Sequence, residues 1–395
     1  MRKMKCDVLV AGAGLGGLTA GIALAREGFE VCVLEADTGR RADHWGFTIW
    51  PPGTRTLDWL GILDGVKAEG CRIESFRWLS GDGSERVSVD LARLEDVGTF
   101  VGILPSRLLN VLEAGAAANG VTILKGAADW EFTRGSDGLF EVRARTPGEE
   151  WLIGCKLIVG SDGPQSWLRR RLGINAWQWR PPGQVIVTGI GGPLDAAESR
   201  QAMGVGWSAG SVSLGHGKSW VYAILGRRDR RRSLEPFGAY EAIEPQARTA
   251  LAELRDVAEI RPWSIRVRRW TTDGILLIGD AAHTVLPHIG LGGTMTLEDI
   301  PVLCKIASDA LHKGDTSAAR LGEFQRRRRR RVAYAHRVSE VWALSMTSRL
   351  PGFRLMRDFN FRRLAKNPEK VETFVRELSS PEPVRLGTRV GVLIP

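Results

Sequence analysis

Two glycine-rich stretches carry the residues of this sequence whose types and spacing could do chemistry. Gly12, Gly14 and Gly17 have the spacing G-x-G-x-x-G, and a second stretch, GDAAHTVLPHIGLGGT, occupies positions 279–294. Closely spaced glycines let the backbone approach a phosphate group, and a helix that starts behind them offers free N–H groups. Such loops usually open a domain, so the late position of the second stretch needs an explanation.

The residues around the first stretch predict a strand, a turn, a helix and a second strand. Residues 6–10 form a short apolar run apart from Asp7, the apolar positions after the glycines recur at helical spacing before Arg26, and a second apolar run, 31–34, ends at Glu35. In such a unit Gly12 makes the tight turn, Gly14 admits a pyrophosphate, and Gly17 lets the helix pack on the strand. Glu35 can accept hydrogen bonds from an adenosine ribose and would repel a 2′-phosphate, which favours FAD or NAD over NADP at this site.

Two aspartates follow later apolar runs. Asp162 comes just after the run 157–159, and Asp280 just after 275–278. Both runs predict buried strands, and α/β sheets bind their ligands beyond the carboxyl ends of the strands. We therefore expect both carboxylates at the ligand-binding edge of one sheet.

With these three motifs in this order, the sequence resembles the single-component (group A) FAD-dependent aromatic hydroxylases, which are built like p-hydroxybenzoate hydroxylase. The resemblance spans residue 6 to about 299. It implies bound FAD, NADH or NADPH as reductant, and O2. It also implies hydroxylation of a small aromatic or heteroaromatic molecule through a flavin C4a-hydroperoxide. The protein would then supply positioning and electrostatics, while the cofactor does the difficult chemistry.

The resemblance also assigns residues to FAD. Glu35 would hold the adenosine ribose, Asp280 the ribityl chain, and Asp162 both FAD and the reduced nicotinamide. Two positions depart from the family, whose usual glutamine is Leu291 here and whose usual asparagine is Thr294. The predicted cofactor contacts are Gly12, Gly14, Leu15, Gly17, Glu35, Ala36, Arg41, Arg107, Asp162, Gly279, Asp280, Pro287, Gly290, Gly292, Gly293 and Thr294.

Substrate contacts are predicted from position and side-chain type. His288 stands between Pro287 and the glycines, where the loop should face the flavin ring, and Trp50, Trp207 and Tyr222 lie in segments that could border an aromatic pocket. The sequence nominates no catalytic base.

The predicted fold class is α/β with a second domain of α+β type. A Rossmann-like FAD-binding domain would comprise residues 1–75, 100–172 and 270–312. An inserted substrate domain with an antiparallel sheet would comprise residues 76–99 and 175–268, and a C-terminal helical region residues 313–395. The late glycine stretch would then complete the FAD site that the first stretch opens.

Composition narrows the functional classes that the sequence still allows. Five scattered cysteines predict no metal site and a reducing, cytoplasmic setting. We predict a monomer or homodimer and no membrane partner. The arginine run 326–331 could indicate a nucleic-acid-binding or regulatory protein, but it lies on a helical pattern without interleaved aromatics, so no nucleic-acid partner is expected. A reductase, a dehydrogenase or a halogenase remains the alternative enzyme, the last because WQWRPP at 177–182 resembles a halogenase W-x-W motif.

Overall fold

A six-stranded sheet carries the first glycine motif near its centre. The computed structural model describes residues 1–39, 43–94, 96–226, 235–245 and 247–380. The strand order is Thr271–Thr272, Ile275–Leu277, Leu157–Gly160, Val8–Ala11, Val31–Glu35 and Thr122–Lys125. Neighbouring strands pair in parallel, except that the first two are antiparallel. Four of its strands are apolar and buried on both faces, as parallel sheets covered by helices require.

A seven-stranded sheet forms the second layer of the molecule. Its strands come from both segments that were predicted to form the substrate domain, in the order Arg255–Ile260, Val185–Gly191, Lys218–Leu225, Trp207–Gly215, Glu198–Met203, Ser75–Ser80 and Glu85–Asp90. Pairing is antiparallel except between Glu198–Met203 and Ser75–Ser80, which are parallel. The exception arises where the two distant segments of the chain meet, because no hairpin joins those strands.

Three smaller sheets complete the β-structure of the described residues. They comprise Arg2–Lys5, Glu149–Cys155, Phe140–Thr146 and Asp129–Arg134; Phe47–Ile49, Val101–Ile103 and Cys71–Arg72; and Ala176–Trp179 with Ser264–Val267.

Helices cover the six-stranded sheet and form the C-terminal part of the described chain. They are Leu15–Arg26, Pro51–Trp59, Leu63–Glu69, Pro105–Ala118, Trp167–Arg171, Glu235–Ile243, Ala247–Ala252, Asp280–His283, Gly292–His312, Ala318–Met346, Pro351–Ala365 and Pro368–Leu378, with 3-10 turns at Leu91–Leu94 and Pro287–Ile289. Among the described residues, no helix combines the length and the apolar character that a membrane span needs.

The last of these helices falls within the C-terminal helical region predicted for residues 313–395, but its own position in that region was not predicted. The sequence indicated a proline- and glycine-punctuated tail after about residue 364, but Pro368 begins a further helix at its first position, where proline is well tolerated. Val371, Phe374, Val375 and Leu378 are buried along one side of it. The spacing of three, four and seven was therefore present in the sequence, and the proline signal had obscured it.

Candidate cofactor and substrate site

Segments from both ends of the chain meet at the start of the helix Leu15–Arg26. A Cβ atom placed on Gly16 would lie 2.6 Å from Ser161 Oγ and 2.8 Å from Thr296 Cγ2. A Cβ atom on Gly293 would lie 3.3 Å from Leu15 Cδ2. The fingerprint, the Asp-Gly motif and the late glycine stretch are therefore in direct contact, and the late stretch belongs to the same site as the first.

Gly12, Gly14 and Gly17 have different reasons to be glycine. Gly12 has φ of +100°, and a Cβ atom on Gly17 would lie 1.7 Å from the Gly12 carbonyl oxygen, so these two serve the turn and the packing of the helix. A Cβ atom on Gly14 would meet nothing within 4 Å, and its φ of −78° suits any residue. Gly14 therefore faces open space, and no side chain caps the helix N–H groups there. This is the cradle that a pyrophosphate fits.

A cavity of about 850 Å³, open to solvent, continues from Gly14 past Glu35. Glu35 accepts hydrogen bonds from the N–H groups of Ala13 (2.7 Å) and Asp37 (2.9 Å), which hold its carboxylate at the wall. Ala36 is exposed beside it, whereas Arg41 lies outside the described residues. The arrangement suits an adenosine ribose.

The two aspartates behind the strand ends keep oxygen atoms available. Asp162 Oδ2 accepts the N–H of Leu168 (2.9 Å), but Asp162 Oδ1 is buried with no hydrogen-bond partner among the described residues. Asp280, at the start of the helix Asp280–His283, has no side-chain hydrogen bond to the described part of the chain. Arg169 ties the two segments together by donating to the carbonyl oxygens of Ala281 (2.8 Å) and Pro164 (2.7 Å). Unpaired carboxylate oxygens fit hydroxyl-bearing ligand groups such as ribityl.

A second helix start carries the late glycine stretch. The helix Gly292–His312 begins with no side-chain cap, so its first N–H groups and the positive end of its dipole are free for an anionic group. Gly290, with φ of +64°, closes the turn that Pro287 opens. Thr294 Oγ1 accepts the N–H of Trp50 (3.0 Å), so this side chain fastens the loop to the neighbouring segment, and its contact with the cofactor stays a prediction.

An aromatic cavity of about 860 Å³, including its open mouth, borders this loop. Three of the predicted substrate-facing residues, Trp50, Tyr222 and His288, line it together with Pro287 and Gly290. Its other aromatic walls are Phe76, Trp78, Trp220, Trp342 and Phe374.

Trp207 is not among the residues that line this cavity. It packs over Gly204 and against the smaller apolar cluster of the seven-stranded sheet. It pairs directly with Leu225, and partners across an antiparallel sheet share a face. Trp220, Tyr222 and Ile224 point to the cavity face of the neighbouring strand, and Leu225 to the other face.

Comparison with known proteins decides the family. Residues 5–339 match the family model described as "FAD binding domain". The chain belongs to this family. The predicted relationship to the single-component FAD-dependent monooxygenases and the predicted α/β fold are confirmed.

Several curated relatives of this flavoprotein are monooxygenases. Aurachin C monooxygenase/isomerase of Stigmatella aurantiaca is 28% identical over 326 residues, which cover 78% of this chain and 82% of the relative. The 6-methylpretetramide 4-monooxygenase of Streptomyces rimosus is 28% identical over 374 residues, covering 87% and 84%.

Solved structures agree in fold. The p-nitrophenol 4-monooxygenase PnpA of Pseudomonas putida superposes with a TM-score of 0.83 over 98% of this chain and 100% of that chain, at 20% identity. HpxO of Klebsiella pneumoniae, solved with FAD and uric acid, gives a TM-score of 0.79 at 21% identity over 96% of this chain and 97% of that chain. The open cradle at Gly14 and the unpaired oxygens of Asp162 and Asp280 show that the residues of this flavoprotein fit FAD.

Arg107, predicted to contact the flavin, makes an ion pair with Glu69 in the monooxygenase. It stands at the start of the helix Pro105–Ala118, and its neighbour Ser106 donates its N–H to Asp43 Oδ1 (3.0 Å). The flavin contact of Arg107 stays a prediction, since it would require the guanidinium to leave Glu69.

The sequence analysis missed a buried network of charged side chains that contacts the late glycine stretch. Asp299 accepts hydrogen bonds from the Gly279 N–H (2.8 Å), from Arg328 Nε (2.7 Å) and, through a bond of 2.7 Å, contacts His283 Nε2. Burial opposes ionisation of Asp299, but His283 and Arg328 overcome it and hold the pKa of this carboxyl below its ordinary value. The network positions the Gly279 turn from which Asp280 projects.

The arginine run supplies the cations of this network. Arg328 also donates to Glu298 (2.9 Å), and Arg331 donates to Glu298 (2.8 Å) and to the Leu378 carbonyl oxygen (2.6 Å). The sequence analysis did not predict that these guanidinium groups are buried, and in the structure they are 4% and 1% exposed. The adjacent acids Glu298 and Asp299, and the three-residue spacing of Arg328 and Arg331, were the features of the sequence that hinted at this network.

We expect FAD affinity to depend on the ionisation of Asp280. Burial raises the pKa of its carboxyl to about 6, His283 lowers it and Asp299 raises it. Because this pKa lies above the ordinary value, FAD-free protein should gain stability as the pH falls through about 6. FAD should bind more weakly over the same range, since ribityl hydroxyls donate best to the carboxylate. Fluorescence titration should show up to about tenfold weaker binding per pH unit below 6.

An Asp280→Asn variant is the control for this effect. It should bind FAD more weakly near neutral pH and show no such pH dependence, because the titrating group is gone while His283 and Asp299 remain. A pH dependence that persists in the variant would assign the titration to another group.

Proposed function

We propose that the protein is an NADH- or NADPH-dependent FAD monooxygenase that hydroxylates a small aromatic or heteroaromatic ring held in the cavity between Trp50, Tyr222 and His288. The observation that carries the proposal is the position of this aromatic cavity, whose wall includes Pro287, His288 and Gly290 of the late glycine loop. A planar ring bound there would lie beside the loop that faces the cofactor.

The tautomer of His288 follows from its partner Gln184. The Gln184 side-chain N–H groups donate to the Ala343 carbonyl oxygen (3.0 Å) and to Thr347 Oγ1 (3.0 Å), so Gln184 Oε1 is the atom that faces His288 Nε2 at 2.7 Å. An amide oxygen only accepts, and therefore His288 Nε2 carries the proton. Burial lowers the pKa of His288 to about 3, which keeps the ring neutral. Its Nδ1 is then a fixed acceptor, and it is buried without a partner.

Within the described part of the chain, the residues that line the cavity therefore include a buried acceptor without a partner, and they also include such a donor. Trp50 Nε1 is also buried with no partner among the described residues, and Trp50 lines the same cavity. Buried polar groups without partners are costly, and a bound ligand can satisfy them. We infer a substrate ring that offers an O–H or N–H donor to His288 and an oxygen acceptor to Trp50. Two relatives are named for compounds with rings of this kind, 2-heptyl-3-hydroxy-4(1H)-quinolone and 6-hydroxynicotinate.

The roles of the chain's own residues follow from this placement. When bound, FAD takes reducing equivalents from NADH or NADPH and activates O2 for transfer to the ring. The free N–H groups at the start of the helix Gly292–His312 stabilise negative charge beside them. Trp78, Trp342 and Phe374 exclude water from the ring's surroundings. Because burial lowers the pKa of His288 to about 3, its Nδ1 is a weak base, and we propose that it orients the substrate by accepting a hydrogen bond and does not remove its proton.

The proposal is tested with purified FAD-loaded protein and a panel of hydroxylated arenes and heteroaromatic lactams. A substrate should stimulate NADH or NADPH oxidation with uptake of one O2 and yield a product heavier by one oxygen atom. Hydrogen peroxide without a hydroxylated product for every ring tested, or substrate oxidation without O2, would overturn it in favour of a reductase or dehydrogenase. A halogenated product formed from O2 and added halide would overturn it in favour of a halogenase.

A His288→Phe variant is expected to raise KM for the substrate by roughly ten- to a hundredfold, because a buried donor of the substrate loses its acceptor. FAD binding should not change. The ratio of variant to parent kcat/KM should stay constant between about pH 6 and 9, since the pKa of His288 lies far below this range. A ratio that varies with pH would instead make His288 a proton acceptor.

A further inference from the structure

Exposed apolar side chains are concentrated on one helix near the end of the described chain. Among the described residues, thirteen large apolar side chains are exposed, and six of them lie between positions 344 and 359. Leu355 and Phe359, on the helix Pro351–Ala365, are 71% and 64% exposed, and Leu350 just before it is 62% exposed. Contiguous exposed apolar surface of this kind marks a site of interaction.

Cationic residues share this side of the helix. Leu355, Phe359, Arg362 and Lys366 follow one another at steps of four, three and four, and Arg363 stands four residues after Phe359. We call these five residues the docking face. Its first half is apolar and its second half cationic, and none of the three cations has an ion pair within the described residues.

The opposite side of the helix is anchored to the protein. Phe361 is buried, with its ring 6.3 Å from that of Trp342. Arg357 is also buried and donates to the Gly204 carbonyl oxygen (3.2 Å). The orientation of the helix is therefore fixed, and the docking face is held outward.

Charge decides which partner fits. Positions 349–366 contain six basic side chains and a single acidic one, Asp358. A second copy packed on the same face would bring these cations together, and isologous contacts of like charge are unfavourable. A nucleic acid offers phosphates but no apolar phase for Leu355 and Phe359. The surface of an anionic bilayer offers both.

We propose that the docking face attaches the protein peripherally to an anionic lipid bilayer. Leu355 and Phe359 enter the apolar boundary, and Arg362, Arg363 and Lys366 contact lipid phosphates. This contact lies along one helix and differs from a membrane span, and it departs from the sequence expectation of no membrane partner. The helices before and after it supply Trp342 and Phe374 to the aromatic cavity, so docking places that cavity wall near the lipid.

The test is co-sedimentation of the full FAD-loaded chain with vesicles of phosphatidylcholine alone or mixed with phosphatidylglycerol. We expect binding to the mixed vesicles only, weakened by salt. Leu355→Ser with Phe359→Ser, and separately Arg362→Gln with Arg363→Gln, should each weaken it at least about tenfold. Matched controls are Arg329→Gln with Arg330→Gln, which are exposed on the helix Ala318–Met346, and the exposed apolar change Leu139→Ser. The controls should bind like the parent.

Each other outcome overturns the proposal. Absence of vesicle binding does so, as does an equal loss in the arginine controls, which would indicate general electrostatic attraction. A dimer in sedimentation velocity that Leu355→Ser with Phe359→Ser converts to a monomer would assign the docking face to a second copy. If vesicle binding appears only after residues 381–395 are removed, the occupant of the docking face is that segment of the chain. Retained flavin absorbance shows in every case that the variant is folded.

Discussion

A Gly14→Val variant is expected to fold as the parent does and to be purified without FAD. The φ of Gly14 is open to any residue, and a Cβ atom there meets nothing within 4 Å, so the fold tolerates the change. The added side chain instead fills the space a pyrophosphate needs. Losing two hydrogen bonds to a charged group costs ~3–6 kcal/mol, so FAD affinity should fall about a hundredfold or more.

Gly17→Ala should have the opposite consequence. Its Cβ atom would stand 1.7 Å from the Gly12 carbonyl oxygen, which forces the turn or the helix to move. We expect a loss of at least ~3 kcal/mol of unfolding free energy, seen as a lower urea midpoint of the FAD-free protein.

Circular dichroism, the urea midpoint and the ratio of flavin to protein absorbance separate the two effects. Gly238→Val is the control, because Gly238 lies on a helix with nothing near its Cβ position. It should retain both stability and FAD. A Gly14→Val protein that keeps FAD would show that the phosphates bind elsewhere, and one that unfolds would show that Gly14 serves the fold.

The elements that carry the predicted cofactor contacts could be predicted because their signals are local. Gly12, Gly14 and Gly17 lie within one turn, Glu35 is the last residue of a buried strand, and Asp280 stands three residues after the end of another. The sheet then brings these strand ends to one edge, whatever the chain does between them. The joining of the late glycine stretch to the first one was predicted for the same reason.

The substrate half depends on strand register, which a single sequence does not state. Tyr222 and Trp207 were equally good candidates, yet the pairing of Trp207 with Leu225 turns Trp207 to the opposite face of the sheet from Tyr222. A slip of one residue exchanges the faces, because side chains alternate along a strand. The partner of His288 was equally out of reach, since Gln184 lies 104 positions away.

The arginine run shows a third limit of prediction from a single sequence. The arginine run by itself does not mark Arg328 and Arg331 as buried, because charged side chains are almost never buried without partners, and the sequence does not show that Glu298 and Asp299 are those partners. Their partners, Glu298 and Asp299, belong to the helix Gly292–His312, whose first turn is part of the late glycine stretch. The packing of the two helices reveals that Arg328 and Arg331 support the late glycine stretch, although they belong to a run that resembles a nucleic-acid-binding element.

An Arg328→Met variant tests this support and is expected to lose ~3–5 kcal/mol of unfolding free energy, because Glu298 and Asp299 would lose a buried cation. FAD should also bind more weakly, since Asp299 holds the Gly279 N–H and His283 in front of Asp280. Arg328→Lys should recover only part of the loss, because one ammonium cannot reproduce the contacts of Nε to Asp299, Nη1 to Glu298 and Nη2 to the Met295 carbonyl oxygen.

Arg329→Met is the matched control, because it makes the same change one residue along the same helix at an exposed side chain. It should shift the unfolding free energy by no more than ~0.5 kcal/mol and leave FAD affinity unchanged. Urea unfolding with and without FAD measures both quantities. Equal shifts for Arg328→Met and Arg329→Met would mean that the run acts only through its overall charge. Destabilisation of Arg328→Met without weaker FAD binding would confine Arg328 to holding the two helices together.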